Sequence, residues 1–191
     1  MARPRNFDPE TVLDLAMDTF WTYGYANTSP AQLAECTGIG KGSLYNTFGS
    51  KRELFDRVLE RYDRIGAEVA GEYMSRPGTT REALRAFLRS LVDTDAAQPV
   101  RRGCLAVNTA TEFADRDPEI TRAIRSAQDH TVAAMAARID QGRRDGDVDR
   151  ATDPQQAAEF LMNTIAGLRV MAKTNDAPAL YRIIDTALTT L

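Results

Sequence analysis

Cys104 is the residue whose sequence neighbours most favour covalent chemistry, because Arg101 and Arg102 lie just before it. Neighbouring cations and a helix start both favour the thiolate, and the thiolate is the form of cysteine that electrophiles alkylate and oxidants attack. The sequence therefore allows a modifiable thiol at this position. Packing as a small apolar side chain in a pocket wall is the other interpretation, and it stays open.

Polar residues recur on one face of the segment that begins at Cys104. Asn108 and Glu112 follow it at intervals of four residues, and Thr111 is adjacent to Glu112. Four residues make about one turn of an α-helix, so these side chains lie on the same side of an otherwise apolar segment. Such a face is typical of a binding pocket with a few polar anchors. Other candidates for the pocket wall, each of which fits a core position equally well, are Phe87, Leu91, Met135, Phe160, Asn163 and Met171.

The single histidine, His130, is a further candidate for the pocket, but it does not indicate catalysis. Without a second histidine, and with acidic residues scattered singly, the sequence has no metal-ligand spacing. A nucleophilic pair of Cys104 and His130 would need a third, orienting group that the sequence does not identify. We therefore predict no catalytic residue, no metal site and no cofactor. A cysteine-dependent enzyme on a helical scaffold is the alternative from a different class of protein.

Residues 28–51 predict two short helices joined by a tight turn. Thr28 or Ser29 can cap the first helix, and Gly38 can adopt the left-handed conformation that ends it. A second short helix follows over residues 41–48. Two short helices joined in this way form the helix-turn-helix pattern, whose second helix enters the major groove of DNA.

The second of these helices carries side chains that are suited to DNA. Lys41 can neutralise a phosphate, Ser43 can donate a hydrogen bond and Asn46 offers an amide. Tyr45 adds a flat aromatic ring with a polar tip, and Gly42 leaves the helix start open to a phosphate. The residues that we predict to contact DNA are Thr28, Lys41, Gly42, Ser43, Leu44, Tyr45, Asn46 and Lys51.

The run YANTSPAQLAECTGIGKGSLYNTFGSKRELF, from Tyr25 to Phe55, resembles the DNA-binding signature of the TetR family of bacterial repressors. The likeness extends over residues 8–64. It implies an all-α protein with an N-terminal three-helix helix-turn-helix domain and a C-terminal helical domain for ligand binding and dimerisation. The resemblance also implies a repressor that leaves its operator when the C-terminal domain is occupied or modified. Thr47 stands where many members have a histidine, so no contact of that imidazole is carried over.

The run RGCLAVNTATEF, from Arg102 to Phe113, resembles the start of the sixth helix in a NemR-like subgroup of the same family. In that subgroup a cysteine in this region senses electrophiles and oxidants. The resemblance implies a sensing role for Cys104, with either a small molecule of unknown identity or an electrophile as the signal. A regulator with a vestigial pocket is the remaining interpretation within the family.

Composition is ordinary for a globular protein, with 43% hydrophobic and 27% charged residues. The net charge of −3 does not indicate a general nucleic-acid binder, and residues 1–64 carry eight Lys or Arg against nine Asp or Glu. Binding to DNA would depend on a local basic edge. The residues of this edge are Arg3, Arg5, Lys41, Lys51 and Arg52.

Cysteine usage and hydropathy indicate the cellular compartment of the protein. Two cysteines far apart in sequence indicate a reducing compartment rather than a disulfide framework, and we expect Cys36 in the core. Neither an apolar signal segment nor a run of about 20 apolar residues is present. We therefore expect a cytoplasmic protein without membrane contact.

Helical periodicity and breaker residues predict about nine helices, without a strand pattern. Residues 1–50 are predicted to form the N-terminal DNA-binding domain and residues 74–191 the C-terminal domain. A connecting helix over residues 51–73 begins at a capping box formed by Ser50 and Glu53.

The last two predicted helices are apolar on more than one face, which is typical of deep core or of an interface. The resemblance implies a homodimer in which these helices pair as a four-helix bundle. We expect the interface within residues 154–190, with Leu168 and Ile184 in it. The partners implied are double-stranded operator DNA, a small-molecule inducer and a second copy of the chain.

Overall fold

The computed structural model describes residues 7–113 and 116–191, and every regular element within them is helical. The α-helices are α1 (Pro9–Tyr23), α2 (Pro30–Thr37), α3 (Lys41–Phe48), α4 (Lys51–Met74), α5 (Thr80–Ala97), α6 (Leu105–Phe113), α7 (Pro118–Asp145), α8 (Pro154–Met171) and α9 (Ala177–Ala187). A short 3-10 turn, Leu188–Thr190, follows α9. The predicted all-α fold with about nine helices is confirmed. Within the described residues, none of the helices combines the length and apolarity that a bilayer span requires.

Most helix starts follow from local capping signals in the sequence. In α1, α2, α7, α8 and α9, an Asp or Ser side chain accepts hydrogen bonds from first-turn N–H groups, and a proline occupies the first turn. The predicted capping box of α4 is present, with Ser50 and Glu53 each accepting from the other's backbone N–H. Gly38 ends α2 in the left-handed conformation, with φ at +69°, as predicted.

The first hydrophobic core joins the helix-turn-helix to segments far along the sequence. Its buried residues come from α1, α2, α3 and the first half of α4, and also from α6 and the start of α7. Phe20, Tyr25, Phe55 and Phe113 form one aromatic cluster, with neighbouring ring centroids 4.9 to 6.0 Å apart. The core members that belong to the predicted C-terminal domain are Leu105, Ile120 and Ile124. The helix-turn-helix is therefore packed directly against that part of the chain.

The second core lies between the C-terminal half of α4 and helices α5, α7, α8 and α9. Ala70 and Met74 bring α4 into this core, while Leu54 and Phe55 hold the other end of α4 in the first core. The connecting helix ends at Met74, one residue later than predicted. One helix, α4, therefore contributes to both cores and connects them directly.

Several apolar positions lie on helix faces that differ from the prediction. Leu168 and Ile184 are 2% and 0% exposed, so they fill the second core and do not form the expected intermolecular surface. Met135 also lies inside that core instead of in a pocket wall. Cys36 was expected in the core but is exposed, because α2 turns the face with Leu33 inward. The predicted basic-edge residues that lie outside the described residues are Arg3 and Arg5.

Candidate functional site

The outer face of α3 presents four of the eight residues predicted to contact DNA. The exposed residues of this face are Lys41, Gly42, Ser43 and Asn46. Open space surrounds the position that a Cβ would take at Gly42, so the N-terminal turn of α3 is accessible to a phosphate. Leu44 is 0% exposed because it packs in the first core, and its assignment as a DNA contact is corrected accordingly.

Thr28 and Tyr45 do not have their predicted orientation. Thr28 is 1% exposed, and its Oγ1 donates to the Gly24 carbonyl at 2.6 Å, so it braces the turn between α1 and α2. The Tyr45 hydroxyl is buried and has no hydrogen-bond partner among the described residues. Burial raises the pKa of this phenol. Since an unpaired buried hydroxyl is unfavourable, packing of the Tyr45 ring against the first core holds it there.

The first two residues of α4 are basic and have different surroundings. The Lys51 Nζ lies 4.2 Å from the centroid of the Tyr25 ring, a cation–π contact. Burial lowers the pKa of the Lys51 ammonium, and the nearby Glu112 carboxylate raises it in part. Arg52 pairs with Asp117 at the start of α7 and so ties α4 to α7. Arg52 thus forms an ion pair within the protein, whereas Lys51 lies against an aromatic ring beside the helix-turn-helix.

Glu112 was predicted to anchor a ligand, but it holds the turn between α1 and α2. Its carboxylate accepts hydrogen bonds from the backbone N–H groups of Tyr25, at 2.9 Å, and of Ala26. Gly24 makes room for this contact, because a Cβ there would lie 3.0 Å from Oε2 of Glu112, and its φ of +79° also favours glycine. The C-terminal end of α6 is therefore hydrogen-bonded to the backbone of the turn between α1 and α2.

The other two residues of α6 that were predicted to anchor a ligand, Asn108 and Thr111, form hydrogen bonds within the protein. Asn108 donates to the Arg102 carbonyl at 2.9 Å and accepts from Nζ of Lys173 at 2.7 Å. Thr111 is exposed and donates to the Asn108 carbonyl. The residues that α6 buries instead are Leu105 and Thr109. Asn108 closes the loop before α6, and Thr111 bonds within the helix, so the structure gives neither residue the predicted role of a ligand anchor.

A cavity of about 240 Å³ lies between α1, α4, α5, α6, α7 and α8. The structure places three predicted residues, Cys104, Phe87 and Leu91, in its wall. Sequence reasoning missed the remaining wall, because it is assembled from helices that are far apart in the chain. The missed residues include Trp21, Tyr62, Ile65, Val69, Gln128, Thr131, Met162, Ile165 and Arg169. Arg169, a charge within the apolar run of α8, is the one sequence signal that could have indicated a buried polar site here.

Four predicted pocket residues lie on the surface instead: His130, Phe160, Asn163 and Met171. The His130 Nδ1 lies 3.2 Å from the Asp63 carboxylate at the surface, whereas the hydrogen-bond partner of the Cys104 thiol is the Tyr62 hydroxyl. Phe160 is 45% exposed, and Asn163 is on the same outward side of α8. They point outward because the opposite face of α8 fills the second core.

Arg169 organises one end of the cavity. Its buried guanidinium pairs with Asp95 at 3.2 Å. It also donates to the carbonyls of Leu91, at 3.2 Å, and Gly103, at 3.1 Å, and to the Tyr62 hydroxyl at 3.5 Å. Burial raises the pKa of Asp95, and the Arg169 charge lowers it in part. The charge on Arg169 is therefore compensated within the protein.

Cys104 lies beside this network and not beside the two cations that precede it in sequence. The Tyr62 hydroxyl donates to Sγ of Cys104 at 3.3 Å, and burial together with the neighbouring thiol raises the pKa of Tyr62. Arg101 and Arg102 form their hydrogen bonds with other residues. The guanidinium that interacts electrostatically with Cys104 is that of Arg169.

Trp21 connects this end of the cavity to α1. Its Nε1 donates to the Gly103 carbonyl at 3.0 Å, and its ring meets Tyr62 edge-on with centroids 5.2 Å apart. The guanidinium of Arg102 covers the ring at 4.5 Å from its centroid. Since α1 also packs against α2 and α4 in the first core, a molecule in the cavity would touch the helix-turn-helix unit itself.

Two segments of the chain match family models, and both models describe the same class of protein. Residues 67–188 match the model described as tetracyclin repressor-like, C-terminal domain, and residues 12–58 match the model of bacterial regulatory proteins, tetR family. The chain therefore belongs to the TetR family of transcriptional regulators, as its helix-turn-helix indicated.

Relatives along the whole chain agree with this assignment. The chain is 29% identical to the HTH-type transcriptional repressor ComR of Escherichia coli K12, over 99% of this chain and 90% of ComR. It is 30% identical to the HTH-type transcriptional regulator YezE of Bacillus subtilis 168, over the full length of both.

Two solved structures show the same fold. CifR, a TetR family regulator crystallised as a cysteine mutant with 26-base-pair operator DNA, is 31% identical over 98% of both chains, with a TM-score of 0.88. Reduced NemR of E. coli, 21% identical over 94% of this chain and 92% of NemR, has a TM-score of 0.82 and supports the fold alone.

Replacing Glu112 with alanine should loosen the turn between α1 and α2, because the N–H groups of Tyr25 and Ala26 lose their acceptor. We expect faster amide hydrogen exchange at these two residues and a free energy of unfolding lower by about 1–3 kcal/mol. Hydrogen exchange and urea denaturation measure these effects. Thr111→Ala, at the exposed neighbouring position, is the control and should change neither. Unchanged exchange in Glu112→Ala would show that the carboxylate does not hold the turn.

Proposed function

We propose that this chain is a dimeric repressor that binds a two-fold operator through α3 and releases it when a small molecule occupies the cavity. The observation that carries this proposal is the position of Trp21, which belongs both to the cavity wall and to α1. An occupant can release DNA only if it binds one arrangement of α1 and α4 better than the other. An occupant that contacts both Trp21 on α1 and Tyr62 on α4 would have a different affinity for each arrangement of these two helices. Because the target is chromosomal DNA, we place the protein in the cytoplasm.

The surface around α3 supports the DNA-binding part of the proposal. Lys41, Ser43 and Asn46 are exposed, and they supply a positive charge, a hydroxyl and an amide for phosphates and base edges. The unpaired hydroxyl of Tyr45 would gain a partner by turning outward to a phosphate. Lys51, at the start of α4 two residues after the Gly49 that ends α3, adds a positive charge beside the helix-turn-helix.

Lys51→Ala should reduce the dependence of operator binding on salt, because one fewer counterion is released at each half-site. The slope of log affinity against log salt should become shallower by about 0.9 for each half-site. The operator can be located first by gel shift with the DNA upstream of the gene, and the slope then measured by fluorescence anisotropy. Arg144→Ala, which removes an exposed charge from the far end of α7, is the matched control and should leave the slope unchanged. The same slope for wild type and Lys51→Ala would exclude a phosphate contact by Lys51.

An exposed apolar stripe on α8 supports dimerisation. Phe160, Val170 and Met171 are large apolar side chains of one helix, and they are 45%, 51% and 37% exposed. A groove beside Phe160 is lined on its other side by Ala179 and Ile183 of α9. A second copy related by a two-fold axis would cover this stripe and would place two α3 helices for two half-sites.

Phe160→Glu should give a folded monomer, because the charge lies in solvent in the separate chain but would be buried in the dimer. Sedimentation velocity should show half the mass of wild type, while the helical circular dichroism signal stays the same. Glu159→Phe, which changes the adjacent exposed position of α8, is a control for surface substitution and should leave the mass unchanged. A Phe160→Glu dimer of wild-type stability would place the interface elsewhere.

Cys104 favours a second signal, an electrophile that adds covalently within the same cavity. Its Sγ lies in the cavity wall beside Tyr62 and Arg169, and an S–C bond formed there would add volume to a packed site. We expect N-ethylmaleimide to abolish operator binding by wild type and by Cys36→Ser but to have no effect on Cys104→Ser. Gel shift with mass spectrometry of the adduct measures this. Cys36 is the required control, since it is exposed on α2 within the helix-turn-helix. Protection by Cys36→Ser instead of Cys104→Ser would contradict the role of Cys104.

A further inference from the structure

The chemistry of the cavity wall narrows the class of molecule that it can hold. We propose that the ligand is a compact, uncharged, mainly apolar molecule with one hydrogen-bonding group that faces Gln128. This inference rests on the proposed function, since it takes the cavity to be the regulatory site. The size of the cavity, the charges near it and one half-buried polar group of its wall each support this proposal.

The volume of the cavity limits the size of the ligand. At about 240 Å³, it is smaller than the roughly 300–1,000 Å³ of pockets for drug-sized ligands. It corresponds to the liquid volume of about eight water molecules, at roughly 30 Å³ each. A single ring or a short chain of roughly eight to twelve non-hydrogen atoms fills such a space.

The charges near the cavity argue against an ionised ligand. Arg169 already pairs with Asp95 and donates to three further acceptors, so an anion would have to replace contacts that compensate a buried charge. Asp63, the carboxylate in the wall, already lies within hydrogen-bond distance of the His130 Nδ1, so a cation would have to compete for it. An uncharged ligand leaves the Arg169–Asp95 ion pair and the Asp63–His130 contact intact.

Most of the wall is apolar, and two of its polar side chains, Thr94 and Gln128, form no hydrogen bond with a described residue. Thr94 is exposed to solvent, whereas Gln128 is half-buried. Ile65, Val69, Phe87, Met162 and Ile165 present aliphatic or aromatic surface. Ser90 and Thr131, which are also in the wall, donate to carbonyls of their own helices. The half-buried Gln128 side chain forms no hydrogen bond with any residue in the described ranges. Its carboxamide can both donate and accept, so a ketone, an aldehyde or an alcohol would satisfy it.

Trp21 provides a direct test, because it is the single tryptophan of the chain and lies in the cavity wall. Its fluorescence can be followed during titration with cyclohexyl methyl ketone, cyclohexanecarboxylate and cyclohexylmethylamine. These three probes have similar size and are neutral, anionic and cationic at neutral pH. We expect the ketone to change the emission with an affinity at least about tenfold higher than that of either ion.

A variant tests the position of the polar group. Gln128→Leu keeps an apolar wall of similar size, and it should weaken ketone binding by about tenfold or more, the value of a lost hydrogen bond. Gln141→Leu, the same substitution at an exposed position of α7, should bind the ketone like wild type. Tighter binding of the carboxylate or of the amine, or no change in emission with any probe, would overturn the proposed ligand class. Ketone binding unaffected by Gln128→Leu would overturn the role of Gln128.

Operator binding, measured in parallel, separates this inference from the proposed function. Ketone binding together with operator release supports both proposals. Ketone binding at Trp21 without operator release supports the ligand class and contradicts regulation through this cavity.

Discussion

One buried cation, the guanidinium of Arg169, holds the junction between the two parts of this regulator. A buried charge is very unfavourable unless it is paired and hydrogen-bonded, so its partners are fixed in position. Asp95 comes from α5, Tyr62 from α4, and the Gly103 carbonyl from the loop before α6. The same carbonyl accepts from Trp21 of α1, so that four segments meet at one charge.

This junction connects the cavity wall, which takes residues from both hydrophobic cores, to the helix-turn-helix. α6 begins at the cavity, beside Cys104, and ends where Glu112 binds the backbone that leads into α2. α4 runs from the helix-turn-helix core into the second core. In the proposed mechanism, a ligand would displace α6 and α4 at the cavity, and the other end of each helix contacts the helix-turn-helix. Packed cores transmit such displacements because they resist local deformation.

The predicted site residues fall into two groups. The positions of some follow from the local sequence pattern, and the positions of others depend on tertiary packing. The exposed Lys41, Ser43 and Asn46 on α3 follow from a short amphipathic helix whose neighbours are nearby in sequence. Leu44 shares that helix but lies on its inner face, which the motif alone did not separate from the outer face. Glu112 has the helical spacing expected of a pocket anchor, yet the face of α6 that points to the cavity is set by packing against α7, α8 and α1.

The sequence by itself determined the helices, their caps and the helix-turn-helix, because these depend on hydrogen bonds between residues three or four positions apart and on the left-handed Gly38. It also determined the family, since the motif lies in one continuous run. Only the tertiary structure decided the cavity. Its wall joins Trp21, Tyr62 and Arg169, and the hydrogen bond from Trp21 to Gly103 spans 82 residues of the chain. Such contacts depend on which helix faces meet after folding, and helical periodicity defines an apolar face without identifying the face that covers it.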